Sequence, residues 1–168
     1  ITYGQGTNQV QVVWNGSGSQ TISVNYQTPS GCYAGTATAL PVTVIPVPGP
    51  AGTITGTGTL CAGTDGIAYS VAPIPDANVY VWSLPAGATI AAGEWSPSIL
   101  VDFSLAAVSG NITVWGNNIC GNGPASPAFP VTVNPIPPVP VITLSSDTLT
   151  SSAPAGNQWY LDGLAIPG

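Results

Sequence analysis

Lysine, arginine, histidine and methionine are all absent from the 168 residues, and the acids number only six. The missing cations exclude several functions at once. Nucleic-acid binding rests on Lys and Arg neutralising phosphates, and a net charge of −6 works against docking on anionic membrane surfaces. Without His or Lys the commonest general bases and every Schiff-base nucleophile are gone, so the chain is read as non-catalytic and cofactor-free. No apolar run approaches the roughly 18 residues that would span a bilayer, so membrane insertion is not expected. The opening "ITYGQGTNQV" has neither a basic start nor an apolar core, and any export signal is expected outside this stretch.

What is present points to strands. The chain is 44% hydrophobic, enough for a packed core and too apolar for a disordered acidic tail. Glycine (21) and proline (18) are abundant, and both penalise helix interiors. "GIAYSVA" places Ile67, Tyr69 and Val71 on one face, and "NVYVWSL" does the same with Tyr80, Trp82 and Leu84. "SILVDF", "GNITVWG" and "AFPVTV" follow, separated by "APIPDA", "LPAGATI" and "GNGPASP". Period-two alternation bounded by Gly, Pro, Asn and Ser is the signature of half-buried antiparallel strands. Several of them in so short a stretch predict a Greek-key β-sandwich. The one helix-like segment, "SLAAVSG" at 104–110, has room for one or two turns.

The chain also repeats itself. "VTVIPVPGP" at 42–50 returns as "VTVNPIPP" at 131–138. At nearly the same offset, Gly4 matches Gly93, and Val10, Val12 and Trp14 match Ile99, Val101 and Phe103. Ile22 and Val24 match Ile112 and Val114, and Cys32 falls near Cys120. A period of this length suits a small sandwich domain rather than a solenoid unit. Residues 1–45 therefore read as the C-terminal part of one sandwich and 51–134 as a complete one, with 140–168 opening a further immunoglobulin-like domain. Residues 46–50 and 135–139 read as proline-rich linkers. Proline cannot donate to a ladder and holds an extended connection, so both tracts are expected to act as semi-rigid spacers.

The wording of "AGTITGTGTLCAGTDGIAYSVAPIPDANVYVWSLPAGATI", followed by "VSGNITVWGNNICGNGPAS" and "VTVNPIP", resembles the PKD-like, immunoglobulin-like repeats of large surface proteins secreted by Bacteroidetes. Those are commonly substrates of the type IX secretion system and include gliding-type adhesins. The resemblance covers nearly all of residues 1–137. It implies an all-β chain of tandem sandwiches, export, and a cell-surface or extracellular location. It does not imply one ligand.

In sandwiches of this kind an inter-sheet bridge joins an early to a late strand, which makes Cys61–Cys120 the expected disulfide and free thiols the alternative; Cys32 is left to pair upstream. Asp65, Asp76, Glu94, Asp102, Asp147 and Asp162 are the only acids, and no D-x-D-x-D-G run gathers them into a calcium loop. They read as solvated turn residues, with Asp65 or Asp76 the weak candidates for a calcium ion between domains. Trp14, Trp82 and Trp159 sit in alternating patterns and are expected in cores. Trp95, in "GEWSPS", and Trp115, opposite in parity to Val114, are the candidates for stacking on a sugar, with core or edge packing the alternative. Asn15 and Asn111 head N-x-S/T sequons, and "DTL" at 147–149 resembles the O-glycosylation site of Bacteroidetes, with Thr148 as acceptor. The expected function is a stalk or spacer segment of a large extracellular adhesin or fibre. Expected partners are neighbouring repeats, surface glycans, or further copies through unpaired sheet edges. The alternatives are a carbohydrate- or surface-binding adhesin module and an accessory repeat of an exported enzyme.

Overall fold

The computed structural model describes residues 1–167 and contains fifteen strands among them. A hairpin comes first, β1 (Gly18–Val24) against β2 (Thr38–Val44). The complete sandwich follows as β3 (Thr55–Gly56), β4 (Thr59–Cys61), β5 (Ile67–Ser70), β6 (Val79–Ser83), β7 (Ala88–Ala92), β8 (Ser98–Phe103), β9 (Gly110–Asn118), β10 (Gly121–Asn122) and β11 (Phe129–Asn134). Two short hairpins end the chain, β12 (Ile142–Ser145) with β13 (Thr148–Ser151), and β14 (Tyr160–Leu161) with β15 (Leu164–Ala165).

One sheet of the sandwich runs β3-β5-β8-β7, and β9 of the other pairs with β6 on one edge and with β10 and β11 on the opposite one. β11 then pairs in parallel with β4, so the first strand divides between the sheets, an immunoglobulin-like arrangement. The expected alternation holds across both. Tyr69, Ile99, Val101, Phe103, Ile112, Val114 and Val131 are almost completely shielded from water, each contributing roughly 1.5–3 kcal/mol of apolar burial. Trp82 packs partly against this core and donates its Nε1–H to the Ser96 carbonyl at 3.0 Å.

Two segments differ from expectation. "LPAGATI" holds the start of the edge strand β7, whose Ala88, Ala91 and Ala92 leave too little apolar alternation to mark it. Within the segment 104–110 there is a turn rather than a helix, closed by a single bond from the Ala107 amide to the Ser104 carbonyl at 3.0 Å, and Gly110 already belongs to β9. Six residues that must connect two strands leave no room for a helix nucleus to propagate.

The first proline tract also departs from the reading of 46–50 as a linker. Pro48 is fully buried. The Gly49 amide donates to Pro75 (3.0 Å) and the Ala51 amide to Pro124 (3.2 Å). The tract is the first edge of the sandwich, held against the end of β9. The second tract, 135–139, lies exposed, with Val139 88% accessible.

The sandwich thus has two poles. The chain comes in at the leading pole, where Asn118 at the end of β9 meets Pro46. It leaves at the trailing pole beyond Asn134, the ladder partner of Cys61. The nine residues of β9, at about 3.3 Å each, separate the poles by roughly 30 Å.

Residues 1–45 reproduce the second half of this sandwich without its first half. Gly4 and Gly93 both have left-handed φ (91° and 79°). Each accepts the amide of the residue three further on, Thr7 or Ser96, at 3.0 Å. The hydroxyls repeat too, Thr7 to Gly4 and Gln9 as Ser96 to Gly93 and Ser98. The bridge Tyr3–Gln11 stands in the place of Ala92–Leu100, and Ile22–Leu40 in that of Ile112–Phe129. Burial does not repeat. Val24 is 67% exposed where Val114 is 0%, and Trp14, expected in a core, is 37% exposed where Phe103 is 0%.

Candidate functional site

The polar side chain with the most consequence in the sandwich is Asn118. It lies on the inward parity of β9, after Ile112, Val114 and Gly116, and is 7% exposed. Its Nδ2 donates to the Pro46 carbonyl at 2.8 Å and the Asp76 carbonyl at 2.9 Å, and its Oδ1 accepts the Cys120 amide at 2.8 Å. One amide thereby ties the incoming chain, the β5–β6 turn and the β9–β10 turn together. Glycines make the approach possible. A Cβ at Gly116 would lie 3.0 Å from the Pro48 ring, and one at Gly123 would lie 2.5 Å from the Pro48 carbonyl oxygen. The Cys120 thiol donates to the Ile45 carbonyl at 3.3 Å, immediately outside the clamp. Sequence reasoning passed over Asn118, Gly116 and Gly123. The available signal was a polar residue falling on the buried parity of a strand.

The expected Cys61–Cys120 bridge is not formed. All three cysteines are free and exposed. Cys61 sits at the trailing pole and Cys120 at the leading pole, a strand length apart, whereas a disulfide needs Cα atoms within about 7 Å. Blocking the folded 168-residue chain with an alkylating reagent, without reductant, is expected to label Cys32, Cys61 and Cys120 alike. A chain that takes up only one label would contradict this geometry.

Asp65 and Asp76 are likewise drawn to opposite poles. Asp76 (φ 59°) turns beside Asn118. Asp65 lies in the β4–β5 turn, where the Thr64 carbonyl accepts the Phe103 amide and Asp102 Oδ1 accepts the Gly66 amide. They do not meet around one ion, and among the described residues no group of three Cys, Asp or Glu side chains is placed to hold a metal.

The two tryptophan candidates part company. Trp95 is 54% exposed on a left-handed residue (φ 68°), with its carbonyl accepting the Tyr80 amide at 3.1 Å. Trp115 is half-buried with its indole nitrogen shielded and unpaired, so its N–H does not face solvent. Thr148 is exposed at the start of β13. A cleft of about 1000 Å³ in residues 1–45 is lined by Ile1, Val10, Ile22, Val24, Tyr26 and Leu40, among others. Four of these, Val10, Ile22, Val24 and Leu40, stand where the complete sandwich places Ile99, Ile112, Val114 and Phe129 in and against its core. The cleft is an uncovered core in shape, not a walled ligand pocket.

The PKD-like domain family matches residues 47–131, and no curated protein matches the chain. The match begins inside the first proline tract, between the Pro46 carbonyl held by Asn118 and the buried Pro48, so the family's boundary and the packed boundary coincide. With more than half of its length matched and with the two-sheet topology described above, the chain belongs to the PKD-like domain family.

Proposed function

We propose that this chain is a spacer segment of a longer array of PKD-like sandwiches, a non-catalytic stalk in a large surface protein or fibre outside the cell. The carrying observation is that the chain enters and leaves the sandwich at opposite poles, with the incoming segment clamped. Beads linked this way add their lengths, about 30 Å each, and a clamped inlet limits the swing between neighbours. Residues 1–45 are then the second half of a preceding sandwich, whose first half supplies the strands that cover Ile22 and Val24. Residues 140–168 open a further immunoglobulin-like module. The wording of the repeats supports placement among the surface proteins exported by the type IX system of Bacteroidetes. The partners are neighbouring repeats of the same chain.

A graft tests the array. Residues 46–89, joined in front of Ile1 of the full chain, restore the order of the complete sandwich, because residue 90 corresponds to Ile1 in the repeat. Amides of β1 and β2 are expected to gain hydrogen-exchange protection of at least 100-fold, and solution scattering should show two beads in line. Unchanged exchange in 18–44 would defeat the tandem reading. The exposed Trp95 favours carbohydrate binding as the second reading. Glycan-array binding that is lost in Trp95→Ala would replace the spacer with a binding module.

A further inference from the structure

The two cysteines of the sandwich, useless to each other, sit at its two ends, and the repeat tells what each one faces. Ile45 occupies in the first half-sandwich the position that Asn134 occupies in the complete one, since Val131 matches Val42. In the complete sandwich Asn134 is the parallel ladder partner of Cys61, and its carbonyl accepts the Ala62 amide at 2.9 Å. A preceding repeat built on the same ladder would set its residue at the Cys61 position beside Ile45, with the next amide donating to the Ile45 carbonyl. That carbonyl is the one that accepts the Cys120 thiol at 3.3 Å. One oxygen would therefore hold the Cys120 sulfur on one side and the backbone following the Cys61-equivalent on the other. Cys120 and the residue following the Cys61-equivalent would then share one carbonyl across the junction. Cys32, near the position of Cys120 in the repeat, shows that a leading-pole cysteine recurs.

We propose that these cysteines staple neighbouring beads. Cys120 bonds to the cysteine at the Cys61 position of the preceding repeat. This rests on the tandem reading. The pairing is an ordinary thiol–disulfide exchange. One thiolate attacks the disulfide of an oxidoreductase or small disulfide donor and releases one donor thiol. The second thiolate displaces the other, so two protons and two electrons leave the cysteines and the donor departs as a dithiol. Both thiols are exposed and open to such a donor. A staple at the junction serves reach under load better than one inside a bead, because it locks the orientation between beads that noncovalent contacts hold only weakly.

The test is a peptide map of the full-length protein as secreted, alkylated before digestion and kept non-reduced. Chymotrypsin serves because the chain offers trypsin no Lys or Arg. The peptide following Trp115, which carries Cys120, is expected to be covalently joined to a peptide from the preceding repeat. Cys120→Ser should release one newly alkylated thiol upstream, and Cys61→Ser should leave the Cys120 link intact. Cys120 found alkylated, or joined to Cys61 or Cys32, overturns the staple while leaving a preceding sandwich standing. A full-length sequence with no sandwich before Ile1 overturns the tandem reading itself, and the staple with it.

Discussion

Tyr69→Ala is expected to destabilise the complete sandwich by about 4 kcal/mol, the range for removing a large ring from a packed core. For a domain of this size the loss reads as a fall in Tm of about 15–30 °C. Tyr69 is 0% exposed on β5. Its ring lies edge-on to Phe129 of the opposite sheet at 5.9 Å and tilted to Phe103 at 6.5 Å, so one side chain ties three strands and both layers. Its hydroxyl donates to the Thr57 carbonyl at 2.9 Å, fixing the crossing where the first strand passes from β3 to β4. Tyr69→Phe keeps the ring and strands that carbonyl, at a cost of about 1–2 kcal/mol. Urea titration of both variants separates the ring from the hydroxyl, and a loss below about 1 kcal/mol in Tyr69→Ala would show that neighbouring side chains refill the site.

The same residue sets an alkaline limit. Burial penalises the tyrosinate and holds the Tyr69 pKa above its usual 10. Unfolded, Tyr69 releases its proton as pH passes about 10, while the folded chain retains it. Its contribution is therefore complete below pH 10 and is lost as pH rises toward the folded value. Tyr69→Phe should flatten the decline of stability above pH 10, and an identical decline in both proteins would assign it to other groups.

How much of this could be read beforehand varies with the physics of each feature. The inner faces of β5, β8, β9 and β11 were legible because period-two alternation of Ile, Val, Tyr and Phe reports directly on which side faces the core. β7 was not, since an edge strand built from Ala88, Thr89 and Ile90 buries little and carries a weak pattern. The proline tract at 46–50 was read as a spacer between sandwiches, whereas Pro48 packs into the sandwich itself, because proline's missing donor says nothing of what its ring packs against. Pro48 is buried through Gly116 and Gly123, far away in sequence. The disulfide failed for a related reason: Cys61 and Cys120 fall near the first and a late strand of one repeat, but strand direction put them at opposite ends. Trp115 was placed on the outer face by parity alone, and its shielded indole nitrogen depends on neighbours that parity does not name.

Asn118→Leu carries the second large effect, and it discriminates a clamp from an ordinary buried amide. The substitution keeps the branched shape and heavy-atom count of Asn118 but withdraws both Nδ2 bonds and the Oδ1 acceptor, leaving the Pro46 and Asp76 carbonyls and the Cys120 amide unpaired. Stranded groups of this kind cost about 1–3 kcal/mol each, and water reaching the pole offsets part of it, so a net loss of about 3 kcal/mol is expected in urea titration. The location of the damage matters more than its size. The Gly49 and Ala51 amides, now bonded to Pro75 and Pro124, should exchange hydrogen at least 100-fold faster, while β5 and β8 slow or quicken only with global stability. Gly123→Ala attacks the same seam from the other side, since its Cβ would lie 2.5 Å from the Pro48 oxygen and 2.8 Å from that of Gly49. It leaves every Asn118 bond chemically possible. If both variants free the 46–51 segment and broaden the solution scattering of the chain, Asn118 sets the stiffness of the incoming segment. If Asn118→Leu lowers stability uniformly while Gly49 and Ala51 stay protected, the stiffness must come from proline geometry alone, and the clamp would be no more than a satisfied amide at the end of a strand.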